Sequence, residues 1–437
     1  MNSSNDESPG EITEMRNEYL EKVPLLSAEE LHSYVEHYFN LSENYRQVIF
    51  NNPSPLYILD KAILKERARQ FKDAFLDVMS DAAFYFAVKS NNHPDVAGTL
   101  LHSGFGLDVS SGMELQMALE LDAREIIFSG PGKTRDELHL AVTHSDRVTV
   151  LIDSFGELAR LQDIASEENR IVRTGVRLST SNKILWQKFG ITPGELPLFW
   201  EDTTKCSHIN LRGIQFHFSW NRTPDAQCEF IAMLGHTLSR LPKRFREDLE
   251  FIDIGGGYWP PQGEWLQFAG TREGKIKKAI GTEDVLSTNH YRKLSNNIES
   301  FAQQLSNAIR SHIDPYVHCN ICFEPGRWIC NDAMHVTLTV IDKKSDQMVI
   351  TDAGTNAIGW ERFEIDYCPI LNLTRPSLQE RKCNILGSLC TPHDIWGYSY
   401  WGDDIQEGDI LMIPEQGAYT YSLRQQFIKP LPEVITL

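Results

Sequence analysis

No stretch of the chain is apolar enough over a sufficient length to cross a bilayer. Its first residues, MNSSNDESPGEITEM, have neither the basic start nor the apolar centre of a secretory leader. Basic charge is scarce too: 42 Lys and Arg face 60 Asp and Glu, a formal charge of -18, which repels phosphate backbones and anionic membranes. Neither nucleic acid nor membrane is expected as a partner. The 8 cysteines are few for the length, and several lie in apolar strand-like runs such as ICF around Cys322, so no disulfide framework is expected. His318, Cys319 and Cys322 lack a second ligand pair at metal-binding spacing, and no metal is expected either. Internal repeats and low-complexity linkers are missing beyond the first dozen residues. What is left is the composition of a cytoplasmic globular protein, in which 437 residues, 41% of them hydrophobic, can build two or three domains around a large core.

The pattern along the chain is one of strands alternating with helices. Ser27 and Glu30 have capping-box spacing, and Leu31, Tyr34, Val35, Tyr38 and Phe39 then recur at helical intervals. SPLYILD (54–60) reads as a strand and the next nineteen residues as a helix. Eight further strands are expected: AFYFAVK ending at Lys89, GLDVSS at Ser111, EIIFSG at Gly130, RVTVLIDS at Ser154, VRTGVRLS at Ser179, RGIQFHFS at Ser219, LEFIDIGGG at Gly257 and NICFEPGR at Arg327. Helical patterns separate most of them, and parallel crossovers need such covering helices. The expected fold class is therefore α/β, a (β/α)8 TIM barrel over residues 62–330. After Arg327 the chain turns to β-branched runs, HVTLTVID, QMVITDAG and GDILMIPE, so residues 331–437 are expected to form an all-β C-terminal domain. Residues 54–61 would supply a strand to that domain, and residues 1–53 a polar tail and a helix.

A barrel of this kind carries its active site at the C-terminal ends of its strands. Lys89, His217, the triplet Gly255, Gly256 and Gly257, and Glu324 with Arg327 all sit at such ends. Each has an ordinary explanation when taken alone. A lysine can snorkel from a strand end, three glycines can make a tight turn, a histidine can be a satisfied core residue, and Glu324 can pair with Arg327. Together they offer an amine that attacks aldehydes once burial has removed its proton, free backbone amides for a phosphate, and a buried carboxylate for a protonated ring nitrogen.

In this arrangement the sequence resembles the fold-type III pyridoxal 5'-phosphate (PLP) decarboxylases, the diaminopimelate, ornithine and related amino-acid decarboxylases, whose barrel is like that of alanine racemase. The resemblance runs from about Pro55 to Phe427 and is carried, in order, by FAVKSNNHP, GFGLDVSSGMEL, IIFSGPGKTRDEL, FIDIGGG, FEPGR, LGSLCTPHD and EQGAYTYS. It implies that PLP is the cofactor and that Lys89 holds it as a Schiff base. His217 would stack on the ring, Glu324 would pair with the ring nitrogen, and Gly255, Gly256, Gly257 and Tyr419 would hold the phosphate. Arg327 would lie near the phosphate or reach the substrate carboxylate, and Asp108 and Arg177 would line the pocket. Cys390 would be the proton donor, and with Asp394 it would complete the site of a second copy in a homodimer.

Three departures bear on the substrate. Thr391 stands where an acidic residue is common, Arg362 and the stand-in Tyr367 are all that remain of the distal carboxylate site, and HFSWN places Ser219 and the bulky Trp220 after the ring-stacking histidine. Arg327, Arg362, Thr391 and Asp394 are the expected substrate contacts. The Cys-Thr-Pro-x-Asp form resembles decarboxylases of natural-product or siderophore biosynthesis, so the expected substrate is an amino acid of the diaminopimelate, ornithine or lysine kind, or an amino-acid conjugate. The alternatives are a PLP-dependent racemase or other α-carbon lyase, and a non-catalytic decarboxylase-like binding protein. Glu324 and the Cys390 motif weigh against the racemase, and the retention of Lys89, His217, Glu324 and Cys390 weighs against the binding protein.

Overall fold

The computed structural model describes residues 23–181, 187–279, 289–359 and 365–437. The chain begins its regular sheet structure at β1 (Leu56–Leu59), followed by β2 (Ala82–Ala87), β3 (Gly106–Val109), β4 (Ile126–Phe128), β5 (Val148–Ile152), β6 (Val172–Leu178), β7 (Ile209–Phe216) and β8 (Phe251–Asp253). A short hairpin, β9 (Glu264–Leu266) and β10 (Tyr291–Lys293), precedes β11 (Asn320–Phe323). Strands β2 to β8 and β11 close into a parallel barrel in the order β11-β2-β3-β4-β5-β6-β7-β8. This is the expected (β/α)8 barrel, and its eight strands fall on the eight predicted segments.

The local reason lies in how each strand hands over to its helix. Ser111, Thr134 and Ser154 each accept a hydrogen bond from the backbone N–H of the glutamate three residues on, Glu114, Glu137 and Glu157. These caps satisfy amides that would otherwise be orphaned where the helices start. Strand alternation then divides two cores. Phe84, Phe86 and Val88 face the main layer under the helices, while Ala83 and Tyr85 join Ile127, Leu151, Phe251 and Cys322 inside the barrel. The helix Lys61–Leu76 drives Phe71 and Phe75 into that outer layer, against Phe84, Tyr258 and Phe323.

The remaining strands are β12 (Met334–Ser345), β13 (Met348–Thr351), β14 (Leu371–Asn372), β15 (Glu380–Leu386), β16 (Ile395–Trp401), β17 (Ile410–Ile413) and β18 (Glu433–Thr436). With β1 they form one sheet in the order β13-β15-β16-β14-β17-β12-β1-β18, with β13 also paired to β12. Strand β1 runs antiparallel to β12 and parallel to β18, so this sheet draws on both ends of the chain. The helix Ala28–Asn40, capped by Ser27, lays Leu31, Val35 and Tyr38 into a core shared with Trp265, Tyr367, Leu371 and Trp401. Among the described residues no helix is long and apolar enough to cross a membrane.

Candidate active site

The strands stop slightly before the residues of interest, where the sequence pattern had placed those residues at the strand ends. β2 ends at Ala87 and Lys89 lies in the short turn Val88–Ser90, while His217 and Glu324 are the first residues after β7 and β11. The backbone has to leave the ladder for its side chains to turn into the mouth of the barrel. There they meet. A cavity of about 440 Å3 is lined by Lys89, Arg177, His217, Gly257, Glu324, Arg327 and Tyr419 among others.

Lys89 Nζ is 2.7 Å from Asp108 Oδ2. The carboxylate is fully buried while the lysine side chain keeps 32% of its surface open, and Ser129 Oγ donates to the other Asp108 oxygen. Burial on its own would strip the proton from Lys89, as the sequence suggested, but the Asp108 and Glu324 charges outweigh it and raise the amine above its ordinary value. The expected free amine is thus an ammonium here, because a buried carboxylate at hydrogen-bond distance wins over desolvation.

Glu324 is 1% exposed. Gln215 Nε2 donates to its Oε1 at 3.2 Å and His217 Nδ1 lies 3.4 Å from its Oε2. Burial pushes this acid up, but the His217 contact and the Lys89 charge take it down to about 2, so it stays a carboxylate. Asp253, on the neighbouring strand β8, is driven the other way by its own burial and the Glu324 charge. His217 is held below its usual value by burial and is therefore neutral, and the Gly256 N–H approaches its Nδ1 at 3.2 Å.

The glycine triplet is required by space as well as by conformation. Gly255 and Gly257 have φ of +71° and +82°, and a Cβ on Gly256 would lie 2.0 Å from the Glu324 carbonyl oxygen. Two bulky residues on the cavity wall, Trp220 and Tyr419, also hold positive φ, 56° and 59°, a strain that proteins retain at functional positions. The Arg327 guanidinium lies over the Trp259 and Tyr419 rings at 4.4 and 5.1 Å. Arg177 lies over Phe189 at 4.5 Å and its buried Nε has no partner among the described residues.

The cysteine segment is placed differently. Cys390 is exposed, and neither it nor Thr391 is among the residues lining this cavity. Asp394 is turned into its own loop in this subunit. It is 3% exposed and accepts from Thr355 N at 2.7 Å, Thr355 Oγ1 at 3.0 Å and Leu389 N at 2.7 Å, so within this subunit it ties the loop that carries Cys390. Tyr367 is buried and donates to Glu380 at 3.0 Å, and Arg362 lies outside the described residues. Gln215, Ser129, Asp253 and Trp259 were missed in the sequence. Gln215 was detectable, because it lies two residues before His217 and so shares its face of β7.

A closed parallel barrel with a lysine, a buried carboxylate and the last glycine of the triplet around one cavity at its C-terminal mouth defines an enzyme of the carbonyl-cofactor class. Residues 61–331 match the family model for "Pyridoxal-dependent decarboxylase, pyridoxal binding domain", and the chain belongs to that family. It is 27% identical to the diaminopimelate decarboxylase of Methanothermobacter thermautotrophicus over 86% of this chain and 84% of that one. It is also 24% identical to the L-glutamyl-[BtrI acyl-carrier protein] decarboxylase of Niallia circulans, over 84% and 85%. Among solved structures, the diaminopimelate decarboxylase of Helicobacter pylori complexed with L-lysine superposes with a TM-score of 0.74 at 23% identity, over 90% of this chain and 94% of that one.

The residues fit the cofactor of this family. The cavity has the volume for a substituted pyridine and its phosphate. Gly257 brings side-chain-free backbone to the cavity wall, Arg177 lines the cavity and its buried Nε has no acceptor among the described residues, and a carboxylate held ionised suits a protonated nitrogen.

Proposed function

We propose that this pyridoxal-dependent decarboxylase acts on an amino acid of the diaminopimelate, ornithine or lysine kind or on an amino-acid conjugate, as a homodimer in the cytoplasm, with the roles below. The observation that carries the reading is the convergence of Lys89, His217, Glu324 and Gly257 on one cavity. When bound, PLP supplies an aldehyde carbon for amines and a protonated ring that takes up the electron pair left as carbon dioxide departs.

Lys89 provides the amine that carries the cofactor, and Asp108 holds it in place and receives its proton. His217, neutral and mostly buried, presents a flat face to the ring. Glu324 keeps a proton on the ring nitrogen, and Gln215 orients it. The amides of Gly255, Gly256 and Gly257, with Tyr419 and Arg177, bind the phosphate, and Arg327 binds the phosphate or the substrate carboxylate. Cys390 returns a proton to the α-carbon. Its exposure and its absence from its own subunit's cavity support its acting on the partner subunit's site, with Thr391 nearby and Asp394 setting the loop. Arg362 is a further candidate contact to the substrate. In this reading the helix Ala28–Asn40 within residues 1–53 packs on the β domain, 54–61 join it, 62–330 bind the cofactor and 331–437 complete the site.

Absorbance of the purified protein with and without PLP, followed by carbon dioxide release from diaminopimelate, ornithine, lysine, arginine, glutamate and their conjugates, tests this. A cofactor band that Lys89→Ala abolishes, with carbon dioxide from one of these substrates, is expected. No band in the wild type would overturn the reading.

A further inference from the structure

A second chamber, of about 160 Å3, lies beside the cofactor cavity. That is close to the roughly 150 Å3 that accommodates a benzene ring inside a protein. The two spaces share Trp259, Arg327 and Tyr419, so they adjoin at the stacked layer in which Arg327 lies over both rings. The other walls come from elements outside the barrel strands: Tyr34 from the helix Ala28–Asn40, Trp265 from β9, Tyr367 ahead of β14 and Glu415 after β17.

The chemistry of these walls is specific. Tyr34 and Trp265 meet edge to face at 4.8 Å, and Trp265 and Tyr367 stack at 6.3 Å. Aromatic walls of this kind attract organic cations. Three acids line the chamber, Glu264, Asp366 and Glu415, and among the described lining residues Arg327, where the two spaces adjoin, is the one basic side chain. Glu264 is already paired with Lys293 at 2.9 Å. Glu415, partly buried, accepts from Tyr38 Oη at 3.2 Å and Asn331 Nδ2 at 3.3 Å. Burial and the nearby Asp332 push it up to about 8 against the pull of Tyr38 and Arg67, so a cation in the chamber would favour its ionised form. An independent sign of a ligand is the Trp265 indole N–H. The residue is 8% exposed and its nitrogen has no partner among the described residues, which is costly unless something in the chamber accepts from it.

We propose that this chamber receives the distal end of the substrate and selects one that carries an amine beside a carbonyl oxygen, as an aminoacyl amide does. The ammonium meets the aromatic walls and Glu415, and the oxygen accepts from Trp265. This rests on the decarboxylase reading, since it names the far end of that enzyme's substrate.

The test uses the PLP-loaded full chain and two compounds that differ by one amine, Nε-glycyl-L-lysine and Nε-acetyl-L-lysine. Binding is read by calorimetry and turnover by carbon dioxide release. The glycyl compound is expected to bind at least about tenfold more tightly, a difference near 1.4 kcal/mol, and Glu415→Gln is expected to remove that preference. Trp265→Phe should weaken both compounds while keeping the preference. Equal binding of the two by the wild type, which needs no variant to fold, overturns the inference, as does a preference that survives in a folded Glu415→Gln protein. Failure of the decarboxylase reading shows separately, as a cofactor-loaded protein that releases carbon dioxide from neither compound nor from any free amino acid. The calorimetric comparison still judges the chamber in that case.

Discussion

Glu324 and Asp253 are carboxyls buried at the ends of adjacent strands, and their surroundings drive their acidities apart. Two such groups cannot both ionise in a dry interior, so one stays charged because the other does not. The signs of their pH effects are therefore opposite. Glu324 is held down to about 2, so its contribution to stability is present above the ordinary carboxylate range and is lost as pH falls toward that value. Asp253 is held well above its ordinary value, so its contribution is present in acid and is lost as pH rises through the raised value. Asp253→Asn is a neutral isostere of the protonated form, and urea midpoints measured from about pH 5 to pH 9 should decline less steeply on the alkaline side than in the wild type. For Glu324→Gln the expected outcome is retained cofactor absorbance with carbon dioxide release slowed about a hundredfold, the typical loss when one preorganised electrostatic contact is removed. A variant that decarboxylates at the wild-type rate would remove Glu324 from its assigned role.

At the level of elements, the strand-to-helix handovers were the most legible feature of the sequence. Period-two runs, Ser and Thr caps and a glycine triplet mark where strands stop, and stopping there is what brings Lys89, His217 and Glu324 to one mouth. Contacts made across the sequence were not legible in this way. The pairing of Lys89 with Asp108 reverses the expected protonation, and Tyr34 and Trp259 reach the cavities through tertiary packing that no local pattern encodes. The Cys390 loop shows the same limit. The motif marked Asp394 as a residue for the substrate, yet its two oxygens are taken by Thr355 and Leu389. Asp394→Ala would leave those donors buried without an acceptor and should lower stability by about 3 kcal/mol. If the loop exists to present Cys390, the same variant should lose carbon dioxide release more than cofactor affinity, which steady-state rates beside a PLP titration would separate.

Across the whole molecule, a single subunit does not bring the exposed Cys390 to the cofactor cavity, so the proposed proton transfer needs a second copy. A twofold dimer solves this in the simplest way, since whatever one copy lends to its partner it receives in return. The consequence can be measured without a structure of the dimer. Lys89→Ala and Cys390→Ala should each be inactive alone. If the sites are shared and subunits exchange freely, an equal mixture assembles about half its dimers from one of each, and each mixed dimer has one site with both its lysine and its cysteine, restoring about a quarter of wild-type activity. If Cys390 instead served its own subunit, every mixed site would lack one of the two residues. The mixture would then stay as inactive as its components, while gel filtration showed that exchange had taken place.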